Sequence, residues 1–363
     1  MPSNKSDDFE HYCDLAQAAL MLASKPDQRA FGDCRLVFSQ SAQARHSKSE
    51  SYCTTNESFG ASFRFLVNGS WGFASTNRIT HADFNSCAAK AFSLAAAAKG
   101  KAKISEENVP AHQGKFELGK ESEYLSRSAL DLQEIAKEAS LEIEKSPRID
   151  SANVAVNLVY LKKSVINTRG LHAYERVLRH REFYEAVARD GPGNIQTAHE
   201  TCGEVGTTSG ISKSLELSRE AALRAKNMLS SSLPPKGVFE VVIDGELAGT
   251  LAHEAVGHAS EGDTISSGGS VLGGMLGRKI ASSLVTITDS PLEPAYGRYA
   301  MDDEGTVASR TTIIDNGVFS GYLTSLESAA DLEVKPSGNG RAGGFYEIPI
   351  VRMSNTFIKP GKS

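Results

Sequence analysis

Gly60-Ala-Ser-Phe-Arg-Phe-Leu-Val67, Asn68-Gly69 and Ser70-Trp-Gly-Phe-Ala74 follow one another, and their reading decides the fold class. Gly60 to Val67 alternates as a half-buried strand does. Asn68-Gly69 is the pair that a two-residue hairpin turn selects, because both of its central positions need positive φ. The period then changes. Thr80-x-x-Asp83 opens and Gly100 closes an Ala-rich stretch, Thr80 to Lys99, which reads as a long helix with a cap at each end. Hairpin and helix together make the N-terminal part mixed helix and sheet, and the fold class α+β.

Outward from this core, residues 8 to 24 carry apolar positions at helical spacing (Phe9, Tyr12, Cys13, Leu15, Ala16, Ala19, Leu20) behind Ser6 and Asp7, and Arg35 to Ser39 alternates as a strand. Polar Gly100 to Gly119 reads as a linker, with a boundary near residue 120 and a second long helix over Glu121 to Lys145. Val154 to Leu161 is a strand, Asn167 to Gly170 a turn, and Ser212 to Leu229 a helix that Pro234-Pro235 stops. Beyond those prolines the pattern predicts a strand (Val238 to Ile243), a short helix (Asp244 to His258), a Gly/Ser-rich loop (Ser266 to Gly277), a strand (Leu284 to Thr288) and a hairpin at Asn316-Gly317. The expected divisions are an α+β domain over 1–120, a middle α+β segment over 121–235 and a β-rich C-terminal domain over 236–363.

Composition narrows the function classes. At 363 residues, 40% hydrophobic and 23% charged, the chain can bury two or three cores. No apolar run, Phe92 to Ala98 included, approaches the roughly 18 to 20 residues of a membrane-spanning helix. A net charge of -5, from 39 basic and 44 acidic residues, leaves no electrostatic footprint for nucleic acid or anionic lipid. The polar start, Met1 to Asp8, lacks the apolar core of a secretory signal, so a cytoplasmic location is expected. Cys13, Cys34, Cys53, Cys87 and Cys202 are odd in number and contain no C-x-x-C pair, which reads as reduced packing residues.

His253-Glu254-Ala-Val-Gly257-His258 has the residue types of a catalytic metal site, two imidazoles with a carboxylate between them. Its spacing is five, not four, and five residues of ideal helix turn the second ring about 140° from the first. Gly257 offers a remedy: a local turn of about 4.4 residues, as in a π-bulge, realigns the two rings. The alternative is a chance grouping. Val241 to Ile243 and Leu247 to Leu251 would carry this helix into a core, where unpaired imidazoles and carboxylates are costly, and that favours function.

This region resembles the TldD/PmbA family of peptidases, specifically its metal-bearing TldD type. The likeness runs through Leu251-Ala-His-Glu-Ala-Val-Gly-His-Ala-Ser-Glu-Gly-Asp263, Leu276-Gly277, Leu284 to Asp289, Asp302-Asp-Glu-Gly305, Asp315 to Tyr322, Gly338-Asn-Gly-Arg341 and Arg352-Met-Ser-Asn-Thr356, with weaker similarity over Gly60 to Ser75. The resemblance implies that His253 and His258 are zinc ligands and Glu254 the general base, and that a cysteine near the C-terminus completes the site. It implies zinc-dependent hydrolysis of unfolded or modified peptides, threaded as strands into an enclosed cavity. It also implies a dimer, homomeric or with a PmbA-type subunit that lacks the metal. No cysteine follows Cys202, and the sequence stops at Ser363 where family members continue. The expectation is therefore a C-terminally truncated member, whose other reading is a non-catalytic partner subunit or remnant. Glu261 and Asp263 are candidate substitute ligands or partners to a histidine N–H. The Ser266 to Gly277 loop reads as a flap or a slack connection, Asp302 to Glu304 as a cation site or a tight acidic turn, and Asn339 to Arg341 and Arg352 as structural polar contacts. No substrate-binding residue is assigned.

Overall fold

A computed structural model gives the structure of residues 8–361 apart from Gln28 and Ser49. Helix α1 (Phe9–Ala23) lies where its periodicity predicts, burying Phe9, Cys13, Ala16 and Leu20, while the polar starters Ser6 and Asp7 fall outside the described residues. β1 (Phe31–Ser47), β2 (Glu50–Val67) and β3 (Ser70–Thr76) form an antiparallel run. The turn from β2 to β3 has Asn68 at φ +50° and Gly69 at φ +74°, as the pair demands.

Two longer partners follow, β5 (Ile149–Asn167) and β6 (His172–Arg189), the first after a shorter strand β4 (Gln113–Leu118). With β7 (Ile195–Val205) they give a seven-stranded sheet in the order β3-β2-β1-β5-β6. The outer edge of β6 is shared: β4 runs parallel along His172 to Val177, and β7 antiparallel along Arg179 to Arg189. Strands of 17 to 19 residues extend about 60 Å at roughly 3.3 Å each, too far for one core. Two therefore lie side by side on the same face. Cys34, Leu36 and Phe38 of β1 meet α1 and α2 (His81–Ala96), whereas Ala42 and Ala44 belong with α4 (Ala129–Glu144) and α5 (Ser214–Met228).

Three expectations change here. The stretch 100–119 contains β4, so it is part of the sheet and not a linker. Helix α2 ends at Ala96, and Gly100 serves a crossing instead: its N–H donates to Asn68 O at 3.3 Å, and a Cβ on it would stand 2.0 Å from Gly69 O. The helix expected over Glu121 to Lys145 is two helices, α3 (Glu121–Leu125) and α4, because Ser128 and Asp131 form a capping box that starts the second afresh. Gly72 shows how closely α2 sits on β3, since a Cβ there would lie 2.1 Å from Ala91 O and 2.4 Å from Ala95 N. Backbone cannot yield as a side-chain tip can. Gly72→Ala is expected to cost about 1–3 kcal/mol, read as a lowered urea midpoint with unchanged m.

The C-terminal region packs on the opposite face. It contains α6 (Gly245–Leu251), α7 (Gly262–Ser266), β8 (Ile287–Asp289), β9 (Thr311–Asp315), β10 (Val318–Phe319), α8 (Leu326–Asp331), β11 (Gly340–Arg341), β12 (Ile350–Val351) and β13 (Thr356–Ile358). One sheet runs β10-β9-β8-β13, and β11 pairs with β12. The Asn316-Gly317 hairpin joins β9 to β10 as predicted. Val238 to Ile243 is not a strand; it has no regular secondary structure, and Val238, Val241 and Val242 are largely exposed. Strand propensity needs a neighbouring ladder to act on, and none of the described residues supplies one there.

Asp302-Asp-Glu304 joins the two regions, its carboxylates taken up by cationic side chains and N–H groups of the chain itself. Asp303 lies 3.0 Å from Lys163 of β5 and 3.6 Å from Arg35 of β1. Glu304 lies 2.9 Å from Arg64 of β2 and accepts from Leu326 N, while Asp302 accepts backbone N–H groups of Glu304, Thr306 and Gly340. Burial alone would raise the Asp303 carboxyl; Lys163 and Arg35 bring it down to about 2.

Candidate metal centre

Asp244 caps α6 by accepting from Leu247 N at 2.9 Å, and the helix then widens into a π turn over Ala252–Gly257 before a short 3-10 turn at His258–Ser260. This is the distortion that the five-residue histidine spacing calls for. It sets the His253 and His258 rings edge to face, with centroids 4.8 Å apart. Gly257 itself keeps ordinary helical angles (φ -57°, ψ -61°), so its value is not torsional freedom. A Cβ there would stand 2.0 Å from Met353 Sδ, and the missing side chain lets Met353 pack beneath the turn.

The helix is not carried into a core as expected. Leu247, Leu251, His253, Glu254 and His258 are exposed, and only Ala252 and Gly257 of the π turn are buried. His253 and Glu254 border an open depression of about 610 Å³, lined also by Thr250, Glu293 and Ser354 to Phe357. Both oxygens of Glu261 lie 3.2 Å from His258 Nδ1, so that nitrogen donates to the carboxylate and Nε2 is the ring nitrogen left to face an ion. Burial raises the Glu261 carboxyl and His258 opposes the shift. Asp263 is committed elsewhere, accepting from Thr264 N and Val351 N.

The Ser266 to Gly277 loop is pinned: Ser270 Oγ donates to Ala259 O at 2.5 Å, Leu272 is buried, and Gly277 N–H donates to Phe319 O at 2.7 Å. Asn339 is a structural contact, donating to Asp289 Oδ2 and Arg352 O, both at 3.0 Å, and Arg341 donates to Met353 O. Sequence reasoning missed a second cavity of about 430 Å³ between sheet and C-terminal region, lined by Arg35, Lys163, Glu175, Arg179, Asp303 and Arg341. These residues come from five separate segments, and the available signal was charge at inward positions of otherwise apolar strands.

Two imidazoles and a carboxylate share one distorted helical turn, with His253 and Glu254 at the rim of an open depression, and these are residue types that can hold a metal ion and act as a base. Sequence models of the PmbA/TldA metallopeptidase match in three parts: domain 1 over residues 39–95, the central domain over 123–229 and the C-terminal domain over 236–363. The chain belongs to the PmbA/TldD metallopeptidase family. It is 37% identical over 308 residues to a metalloprotease of Methanothermobacter thermautotrophicus, covering 83% of this chain and 65% of that one. A metalloprotease of Methanocaldococcus jannaschii is 35% identical, with 83% and 67% covered. The "Zinc metalloprotease TldD homolog" of Saccharolobus solfataricus is 23% identical, with 83% and 66% covered. The chain thus spans about two thirds of the length of these curated relatives. Among solved structures, TldE of Thermococcus kodakarensis superposes with TM-score 0.74 at 19% identity, covering 96% of this chain and 78% of that one. A Thermotoga maritima protein described as a candidate modulator of DNA gyrase superposes with TM-score 0.78 at 22% identity, covering 98% and 78%. At these identities the likeness concerns the fold. No helix among the described residues is long and apolar enough to cross a membrane.

Proposed function

We propose that this chain carries the metal-binding and base residues of a zinc-dependent peptidase. The observation that carries the reading is the approach of His253 and His258 across the π turn, with His258 oriented by Glu261. The donor chemistry fits: imidazole nitrogens suit a borderline-soft cation, and the Glu261 contact is the usual outer partner of a ligating histidine. When bound, zinc lowers its water's pKa from about 15.7 toward 7 and polarises a peptide carbonyl. Glu254, next to His253 and facing the depression, takes a proton from the attacking water and returns it to the leaving amine. The substrate is an unfolded or modified peptide in extended form, for which β13, an end strand of its sheet along the depression, offers pairing groups. The site calls for a third protein ligand, for which the family resemblance implies a cysteine. We further place the chain in the cytoplasm, as a homodimer or paired with a PmbA-type subunit.

The reading as a non-catalytic partner or remnant is favoured by one observation: among the described residues, no third donor groups with His253 and His258. Peptide hydrolysis by this chain, and by a version extended through a late cysteine, separates the two. Activity that a chelator removes and His258→Ala abolishes supports the peptidase, with higher turnover in the extended form. Activity indifferent to both changes refutes the metal assignment, and a folded, extended form without turnover supports the remnant. Glu261→Ala should raise the zinc concentration for half-maximal hydrolysis about ten- to a hundredfold, because His258 loses the partner that fixes its tautomer. An unchanged zinc requirement would reduce Glu261 to a helix-end carboxylate.

A further inference from the structure

A different trio of donors lies on the helix-covered face of the large sheet, away from the C-terminal region. In the pairing of β6 with β7, Glu182 stands opposite Cys202 and His180 opposite Glu204. One donor atom each from His180, Glu182 and Cys202 lies within 4.8 Å of the others. His180 and Glu182 are 1% and 0% exposed, so whatever they do is done without bulk water.

Hydrogen bonding fixes which atoms are free. His180 Nδ1 lies 3.0 Å from Thr207 O, and a carbonyl can only accept, so Nδ1 bears a proton and the neutral ring carries its lone pair on Nε2. Nε2 faces Glu182 Oε1 at 3.4 Å, and neither atom has a hydrogen-bond partner among the described residues. The other carboxylate oxygen, Oε2, accepts from Tyr184 O–H. Two lone-pair-bearing atoms thus confront each other in a buried place, which is costly unless a cation or a proton lies between them. Gly210 keeps room beside the same nitrogen, since a Cβ on it would stand 2.8 Å from His180 Nε2 and 3.1 Å from the Glu204 carboxylate.

We propose that His180 Nε2, Glu182 Oε1 and Cys202 Sγ form a zinc site separate from the His253–His258 pair. Nitrogen, oxygen and sulfur donors in one set suit a borderline-soft divalent ion. Binding forms the Zn–S bond as the Cys202 thiol releases its proton to solvent, so that one thiolate and one carboxylate neutralise the dication. Thr207 O and Tyr184 O–H are the outer partners that orient the imidazole and the carboxylate. The site ties β6 to β7 and, through the Nδ1 contact to Thr207 O, to the loop that follows β7.

The test uses a His253→Ala/His258→Ala variant of the chain, which removes the other candidate pair. Saturated with Co2+ and desalted, this variant should retain about one ion with a thiolate-to-cobalt charge-transfer band, and Cys202→Ser in that background should abolish the band. Zn2+ should also slow alkylation of Cys202, read by peptide mass, and leave half-buried Cys53 unaffected; this arm changes no proposed ligand. A folded double variant that keeps no metal overturns the site and leaves His180 and Glu182 as a proton-sharing pair. Retained cobalt without a thiolate band, or a band that survives Cys202→Ser, overturns it as well, because the ion then lies elsewhere.

Discussion

Glu254→Gln is expected to leave zinc bound and to lower peptide hydrolysis by at least about a hundredfold in any form of the protein that turns over substrate. The amide matches the carboxylate in size but cannot take up the proton of the attacking water, and it leaves His253 and His258 untouched. Glu254 is exposed at the depression rather than held in a buried ion pair, so the change should not disturb folding. Metal content and turnover are measured on the same sample. Near-normal turnover would remove Glu254 from the chemistry, and simultaneous loss of zinc would make it a ligand instead of a base.

The features legible in the sequence are those fixed by local geometry. Asn68-Gly69 and Asn316-Gly317 dictate positive φ, and their hairpins stand where expected. The five-residue histidine spacing calls for a widened turn, and the chain has one. The lengths of the strands were hidden because the buried positions of their far halves are small: Ala42 and Ala44 on β1, Ala186 and Ala188 on β6, Ala198 on β7. Alanine alternating with polar residues carries little strand signal, although helices above make those positions core. At Val238 to Ile243 the error is reversed, since propensity was high and no pairing partner stands among the described residues. The exposed histidine helix teaches the same lesson, because Leu247 and Leu251 look like core residues until their neighbours are known. Distance in sequence conceals the rest. Glu304 meets Arg64 across 240 positions, and Cys202 meets Glu182 only once β6 and β7 are paired.

Arg64→Met is expected to destabilise the protein by about 3–5 kcal/mol, the range for removing one partner of a buried ion pair. The Arg64 guanidinium is buried between Asp33, at 2.6 Å, and Glu304, at 2.9 Å, and stacks over the Trp71 ring, 4.4 Å from its centroid. Burial works against its charge, but the two carboxylates more than offset this and hold its pKa above the ordinary value. Removing it leaves Asp33 and Glu304, 7% and 2% exposed, as neighbouring buried anions in the seam between sheet and C-terminal region. Met keeps most of the stem's packing, so the loss reports mainly on the stranded charges. Adding Glu304→Gln should then recover part of it, because one of those charges is gone. Urea unfolding of the two single variants and the double gives the coupling directly. A cost below about 1 kcal/mol for Arg64→Met, the level of an exposed pair, would show that water reaches this seam and that the acidic turn does not bind the two regions together.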